Sequence, residues 1–218
     1  MKHLKHLLSF LLLIVSCNLH AQVPVIKEPH HKTVLLNKYI RLIDVHLNPH
    51  DTTMYHIHAK PSVVVFISKS QMGTQNMSGP GLPSGEVLPG QTLFRDYEKE
   101  PVTHRVYNGG NNVFHVMDIE LNKKEPLPDS CSALQQNNVE TTINEKLVRV
   151  YKFDLTTNKS LNITNSSCAH LLICISGEVS TSNKKLITGN YLFFNPNINI
   201  AITNNQANTA TCVLLELK

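Results

Sequence analysis

His56 and His58 stand two residues apart in the stretch TMYHIHAKPSVVVF, and a third histidine, His104, follows in PVTHRVYN. On a β-strand, residues i and i+2 leave the same face, so the first two imidazoles would project together from one rigid platform. Imidazole nitrogen binds first-row transition metals at about 2.0–2.2 Å. The three histidines are therefore a candidate ligand set for a divalent transition metal, and Fe, Mn, Ni, Cu and Zn all suit nitrogen donors of this kind. By position, Tyr55, Arg95 and Tyr107 are candidates for the same pocket. His46, in DVHLNPHD beside an Asn-Pro turn, is a further candidate for lining the pocket, although a rim position is the preferred reading. His115 alternates with apolar neighbours and reads as structural. No G-x-S-x-G, no phosphate-cradling glycine loop and no carboxylate pair set for glycoside hydrolysis is present.

The elements that must position these residues read as β throughout. Ile40–Leu47, Ser62–Ser68, Leu93–Phe94, His104–Tyr107 and Val113–Leu121 are strand-like by their β-branched and alternating content. Pro, Gly and Asn punctuate them at the spacing of a sandwich or barrel, and no stretch holds a helical period. The chain also repeats itself. KYIRLIDVHL, starting at Lys38, meets KLVRVYKFDL, starting at Lys146, and SVVVFIS meets HLLICIS at the same offset. HRVYNGGNNVFHVMDIEL likewise meets IAITNNQANTATCVLLEL, with Asn108 over Asn204 and Glu120 over Glu216, and VLPGQTLF meets LITGNYLF with Gly90 over Gly189. Duplication of one unit implies two domains, 22–122 and 146–218, joined by a polar linker over 123–145 with a short helical turn near Ala133–Asn137. In the second copy the counterparts of His56, His58 and His104 are Thr164, Ser166 and Ile200, which offer no comparable site. A copy that folds without the histidines argues that the first copy keeps them as ligands. His170 stands alone in the second copy and reads as a satisfied core histidine.

Apolar residues form 41% of the 218-residue chain, enough for a sizeable core, and the net charge of +4 is not gathered into a basic stripe. A nucleic-acid partner is therefore not expected. Residues 1–21 read as a signal peptide: Lys2 and Lys5, then the apolar run Leu7–Val15, then a cleavage position after Ala21. The run is too short to span a bilayer. The protein is thus expected to be exported, periplasmic or extracellular. A rival reading takes Ile14-Val15-Ser16-Cys17, which resembles the lipobox of bacterial lipoproteins, so that a lipid on Cys17 would tether the chain to a membrane. Among the remaining cysteines, Cys131 and Cys168 lie in polar stretches and are the favoured disulfide pair, whereas Cys174 and Cys212 lie in apolar runs as buried thiols.

HIHAKPSVVVFIS resembles the first motif of the cupin superfamily, and PGQTLF followed by PVTHRVYN resembles the second. With the repeat, the likeness extends over most of the mature chain and points to a bicupin whose second cupin is degenerate. It implies an all-β fold of two tandem cupin-type jelly-roll β-barrels, with a metal in the mouth of the first held by His56, His58 and His104. The family's usual glutamate ligand falls at Ser62 here, leaving three histidines, a set some cupin dioxygenases use. The resemblance implies an oxygenase- or isomerase-type enzyme acting on a small organic substrate, and a homodimer by analogy. The alternative is a non-catalytic module that binds a sugar-like small molecule in a decayed metal site.

Overall fold

Stretches of β-branched residues in period-two alternation form the strands. The computed structural model describes residues 22–122, 131–136, 138–164 and 166–217. The expected signal segment with Cys17, and residues 123–130 and 137 of the expected linker, lie outside the described residues. The first half forms β1 (Val23–Pro24), β2 (His31–Leu36), β3 (Ile40–Leu47), β4 (His56–His58), β5 (Pro61–Phe66), β6 (Ser70–Asn76), β7 (Gly85–Val87), β8 (Thr92–Asp96), β9 (Val102–Asn108) and β10 (Phe114–Leu121). The second half forms β11 (Val139–Asn144), β12 (Val148–Leu155), β13 (Ser160–Ile163), β14 (Ala169–Ser176), β15 (Glu178–Thr181), β16 (Lys184–Ile187), β17 (Tyr191–Phe194), β18 (Ile200–Thr203) and β19 (Ala210–Leu217). Among the described residues the sole helix is a 3-10 turn at Val25–Lys27, and no helix is long and apolar enough to cross a membrane.

Each half is a jelly roll of two sheets. In the first half they run β1-β4-β9-β6-β7 and β2-β3-β10-β5-β8; in the second, β11-β12-β19-β14-β17 and β13-β18-β15-β16. The repeat holds to fine detail. A β-bulge interrupts β2 between Thr33 and Leu35, and its counterpart interrupts β11 between Thr141 and Ile143. Gly90 and Gly189 both take a left-handed φ, 77° and 81°, in the turn before the matching strands, which is why glycine persists there. Asn108 donates from Nδ2 to the carbonyls of Leu47 and Asn112, and Asn204 does the same to Leu155 and Asn208. Arg41 pairs with Glu120 at 2.7 Å, and Arg149 with Glu216 at 3.0 Å. These shared polar residues satisfy buried backbone or buried charge.

Alternation assigns each strand's two faces. One face of β3, β5 and β10 lines the first barrel with Ile43, Val45, Leu47, Phe66, Phe114 and Val116. The other face, carrying Leu42, Val63, Val65, Met117 and Ile119, packs against Val150, Leu171, Ile173, Val213 and Leu215 of the second half, so the two barrels share one core. Tyr191 reaches across this seam and donates its hydroxyl to the Val34 carbonyl at 2.8 Å.

The segment between the halves departs from expectation. Val139–Asn144, taken as linker, is a strand, because VETTIN is the repeat of HKTVLL in β2 and pairs with β12 in the same way. No helical turn forms over 132–136. That stretch is instead anchored by the Cys131–Cys168 disulfide and by the Leu134 amide, which donates to the Tyr151 hydroxyl at 3.2 Å. Leu134 packs on the interior core of the second barrel.

Candidate metal centre

Strand register decides whether the three histidines meet. β4 presents His56 and His58 on one face, and β9 runs antiparallel beside it with His104 directly opposite His56. The three ring centres lie 4.9, 4.9 and 5.0 Å apart, close to an equilateral triangle. Three imidazoles on one ion at about 2.1 Å would place their ring centres roughly 4.5–5 Å apart. Donor atoms of all three fall within 4.8 Å of one another. His56 donates from Nδ1 to the Met54 carbonyl at 2.9 Å, so its Nε2 carries a lone pair. That Nε2 and the Nε2 of His104 are buried without a hydrogen-bond partner. Orphaned buried nitrogens are uncommon in proteins, and these two belong to rings whose centres are 4.9 Å apart. The residues fit a metal.

Electrostatics agree with geometry. Burial first, then the neighbouring imidazoles of His31 and His58, push His56 down to about 3. Burial followed by His104 and His31 brings His58 to about 3, and burial followed by His56 and His31 does so for His104. At neutral pH all three rings are uncharged, the state that ligates.

Around them lies a cavity of about 430 Å³, with Val64, Phe66, Phe114 and Val116 on its apolar wall and Arg95, Tyr97 and Glu100 among its polar groups. Four residues join the site that the motifs did not reveal. Asp118 lies on the barrel face of β10, its Oδ2 3.4 Å from His58 Nδ1. Burial, aided by Glu120 and opposed by Ser62, pushes its carboxyl up to about 7. His31 stands with its ring centre 4.6 Å from that of His56, and its Nδ1 is 2.8 Å from Glu28. Burial raises Glu28, but His31, His30 and the Met54 amide outweigh it and hold the carboxyl at about 2. Tyr97 tilts against His58 at 5.0 Å, and burial, then Asp118, lift its phenol to about 12. A signal for Asp118 was present in the repeat: its counterpart is Leu214, so a carboxylate stands where the copy has a core leucine.

Of the other sequence candidates, Arg95 lines the cavity and Ser62 is buried beneath it, beside Asp118. Tyr55, Tyr107 and His46 lie outside the cavity wall. Tyr55 carries the Arg105 guanidinium over its ring at 5.1 Å. Tyr107 pairs across from Gly73 and donates its hydroxyl to the Leu82 carbonyl. His46 projects from the outer face of β3 and stacks on His115 at 3.9 Å.

In the second barrel, Ile163 sits opposite Ile200 as His56 sits opposite His104. The counterpart of His56 is therefore Ile163 and not Thr164, because the second copy is one residue shorter before this strand. Ile200, Leu172 and Leu214 fill the interior, and 131–136 covers its end. His170 is buried, but its Nε2 is not satisfied: it lies 4.0 Å from Glu216 without a hydrogen bond. The disulfide occupies both sulfurs beside Glu216, leaving no thiolate ligand there.

No protein-family model matches the sequence, and no curated protein does. Solved structures share its fold across both halves. A bacterial pirin, YhhW, in complex with nickel(II) from Escherichia coli has a TM-score of 0.60 at 14% identity, covering 86% of this chain and 90% of that one. Salicylate 1,2-dioxygenase from Pseudaminobacter salicylatoxidans gives 0.57 at 8% identity, with 82% and 71% covered. A cupin 2 conserved barrel domain protein from Leptotrichia buccalis gives 0.51 at 9% identity, with 86% and 88% covered. The chain has the cupin fold, in two tandem barrels.

Proposed function

We propose that the first barrel is a mononuclear centre for a divalent transition metal, held by His56, His58 and His104, which turns over a small organic molecule by oxygenase- or isomerase-type chemistry. One observation carries this reading: three neutral imidazoles, two buried and one half-buried, meet at ring separations of 4.9–5.0 Å with two orphaned Nε2 atoms. Leaving such an atom buried and unpaired costs about 1–3 kcal/mol, which coordination would offset. The nickel(II) complex of the pirin and the dioxygenase among its structural neighbours support the same reading.

A bound ion would supply Lewis acidity toward a carbonyl or enol-type oxygen, or a site for O₂ activation. The chain's own residues do the rest. Phe66, Phe114 and Val64 hold an apolar body and exclude water from a cavity of about 430 Å³. Arg95 supplies positive charge for an anionic group. Tyr97 keeps its proton, its phenol standing at about 12, and so can donate to a substrate oxygen. Asp118 faces His58 and orients it. Export is part of the proposal, supported by the sequence of residues 1–21 and by the Cys131–Cys168 disulfide; contact with a membrane would require a lipid on Cys17. So is the division into domains at 22–122 and 146–218, with β11 now added to the second.

Metal analysis of the purified, dialysed chain tests the reading. Wild type is expected to hold about one tightly bound ion per chain more than His56→Ala or His104→Ala. Equal metal in wild type and both variants would overturn it. Absence of metal with stabilisation by an added small molecule would instead indicate a binding module.

A further inference from the structure

The arrangement that builds the barrel site occurs a second time, on the outside of the same half. Asp44 and His46 are two apart on β3 and so share its outer face, and His115 on β10 lies directly opposite His46 in the ladder. This is the same lattice as His56, His58 and His104: two same-face neighbours on one strand and the residue across from one of them. His115 Nε2 lies 2.8 Å from one Asp44 oxygen, and His46 Nε2 lies 3.2 Å from the other. Donors bound to one ion at about 2.1 Å sit roughly 3.0–3.4 Å apart at angles of 90–109°, so these spacings are close to those of a ligand set. The donor atoms of all three residues fall within 4.8 Å of one another.

The two imidazoles stack at 3.9 Å with their planes 23° apart, both hydrogen-bonded to a single carboxylate, and to share an ion the half-exposed His46 ring would swing away from His115 toward the roughly 4.5–5 Å separation of two rings on one metal. The turn of the second half abuts them, since a Cβ at Gly189 would meet His115 Cε1 at 3.0 Å, so the seam fixes the ring from behind. His46 is about half exposed, leaving one side of the cluster open to solvent. In the repeat, the same three positions are Lys152, Asp154 and Thr211, where Thr211 donates to Asp154 at 2.7 Å. The copy keeps strand, register and seam without a ligand set, so the fold does not require one.

We propose that Asp44, His46 and His115 form a second, solvent-facing site for a divalent transition-metal ion such as Zn²⁺, with two imidazoles, one carboxylate and open positions for water or an external ligand. The site is independent of the barrel centre and shares no residue with it.

Zn²⁺ titration of the metal-stripped full chain by calorimetry tests this. In a His56→Ala/His104→Ala background about one Zn²⁺ per chain should still bind, and adding His115→Gln or Asp44→Asn should weaken it at least tenfold. His50→Ala, outside the cluster, should leave it unchanged. If the double background does not fold, by circular dichroism, the single variants decide. His115→Gln then removes one Zn²⁺ per chain from the wild-type count, whether or not the barrel also takes zinc. Zinc binding indifferent to both His115→Gln and Asp44→Asn, or none in a folded background, would overturn the site.

Discussion

Asp118 shows how one residue sets the character of the centre. A buried carboxylate 3.4 Å from a candidate ligand matches the carboxylate that orients a metal-bound imidazole. Asp118→Asn should leave the three histidines in place yet weaken metal binding about 10–100-fold, as measured by competition with a chelator. Unchanged affinity would remove Asp118 from the site. The same cluster predicts how metal-free protein responds to acid. Each ring stands at about 3 in the fold against the ordinary histidine value of 6.5, so between those values the unfolded chain binds more protons. Stability therefore falls as pH falls through this window. Asp118, at about 7 against 3.8, works the opposite way, but it is one group against three. Urea midpoints of the apo chain should drop between about pH 7 and pH 5, by on the order of 1–2 kcal/mol per ring before that offset. A midpoint unchanged or higher at pH 5 would contradict the neutral cluster.

At the scale of elements, the duplication serves as an internal control. Strand β13 reproduces β4 in pairing but carries Ile163 where β4 carries His56, and 131–136 covers the second barrel beside β13 as 23–25 covers the first beside β4. The disulfide that holds this cover closes a loop of sequence separation 37. Replacing Cys131 and Cys168 together by serine should cost about 3–4 kcal/mol by loop-closure entropy, seen as a lower urea midpoint, while metal uptake by the first barrel is retained. An unchanged midpoint would show that the cover is held by packing alone. Strand identities and the His-x-His face were legible in sequence because period-two alternation and the repeat report local geometry directly. The strand at Val139–Asn144 was not, since its polar threonines and glutamate resemble a linker until β2 supplies the template. The one-residue shift at Ile163 likewise becomes visible only through pairing.

Taken as a whole, the molecule joins two barrels back to back through one apolar seam, and among the described residues the three-histidine cluster belongs to the first barrel alone. The seam was not legible beforehand, because strands β3, β5 and β10 are apolar on both faces and sequence cannot say which partner covers the second. Asp118, His31 and Tyr97 were missed for a related reason: they reach the cavity from β10, from β2 and from the loop after β8, and only closure of the barrel brings them together. The second half retains the ion pair, the asparagine and the turn glycine of the first, and lacks the three imidazoles of the proposed centre. X-ray absorption at the metal edge, on loaded chain carrying His115→Gln to silence the outer cluster, tests the three-histidine centre most directly. About three imidazole nitrogens at roughly 2.0–2.2 Å are predicted, their scattering lost in His104→Ala; a shell of oxygen alone, or one indifferent to His104, would contradict it.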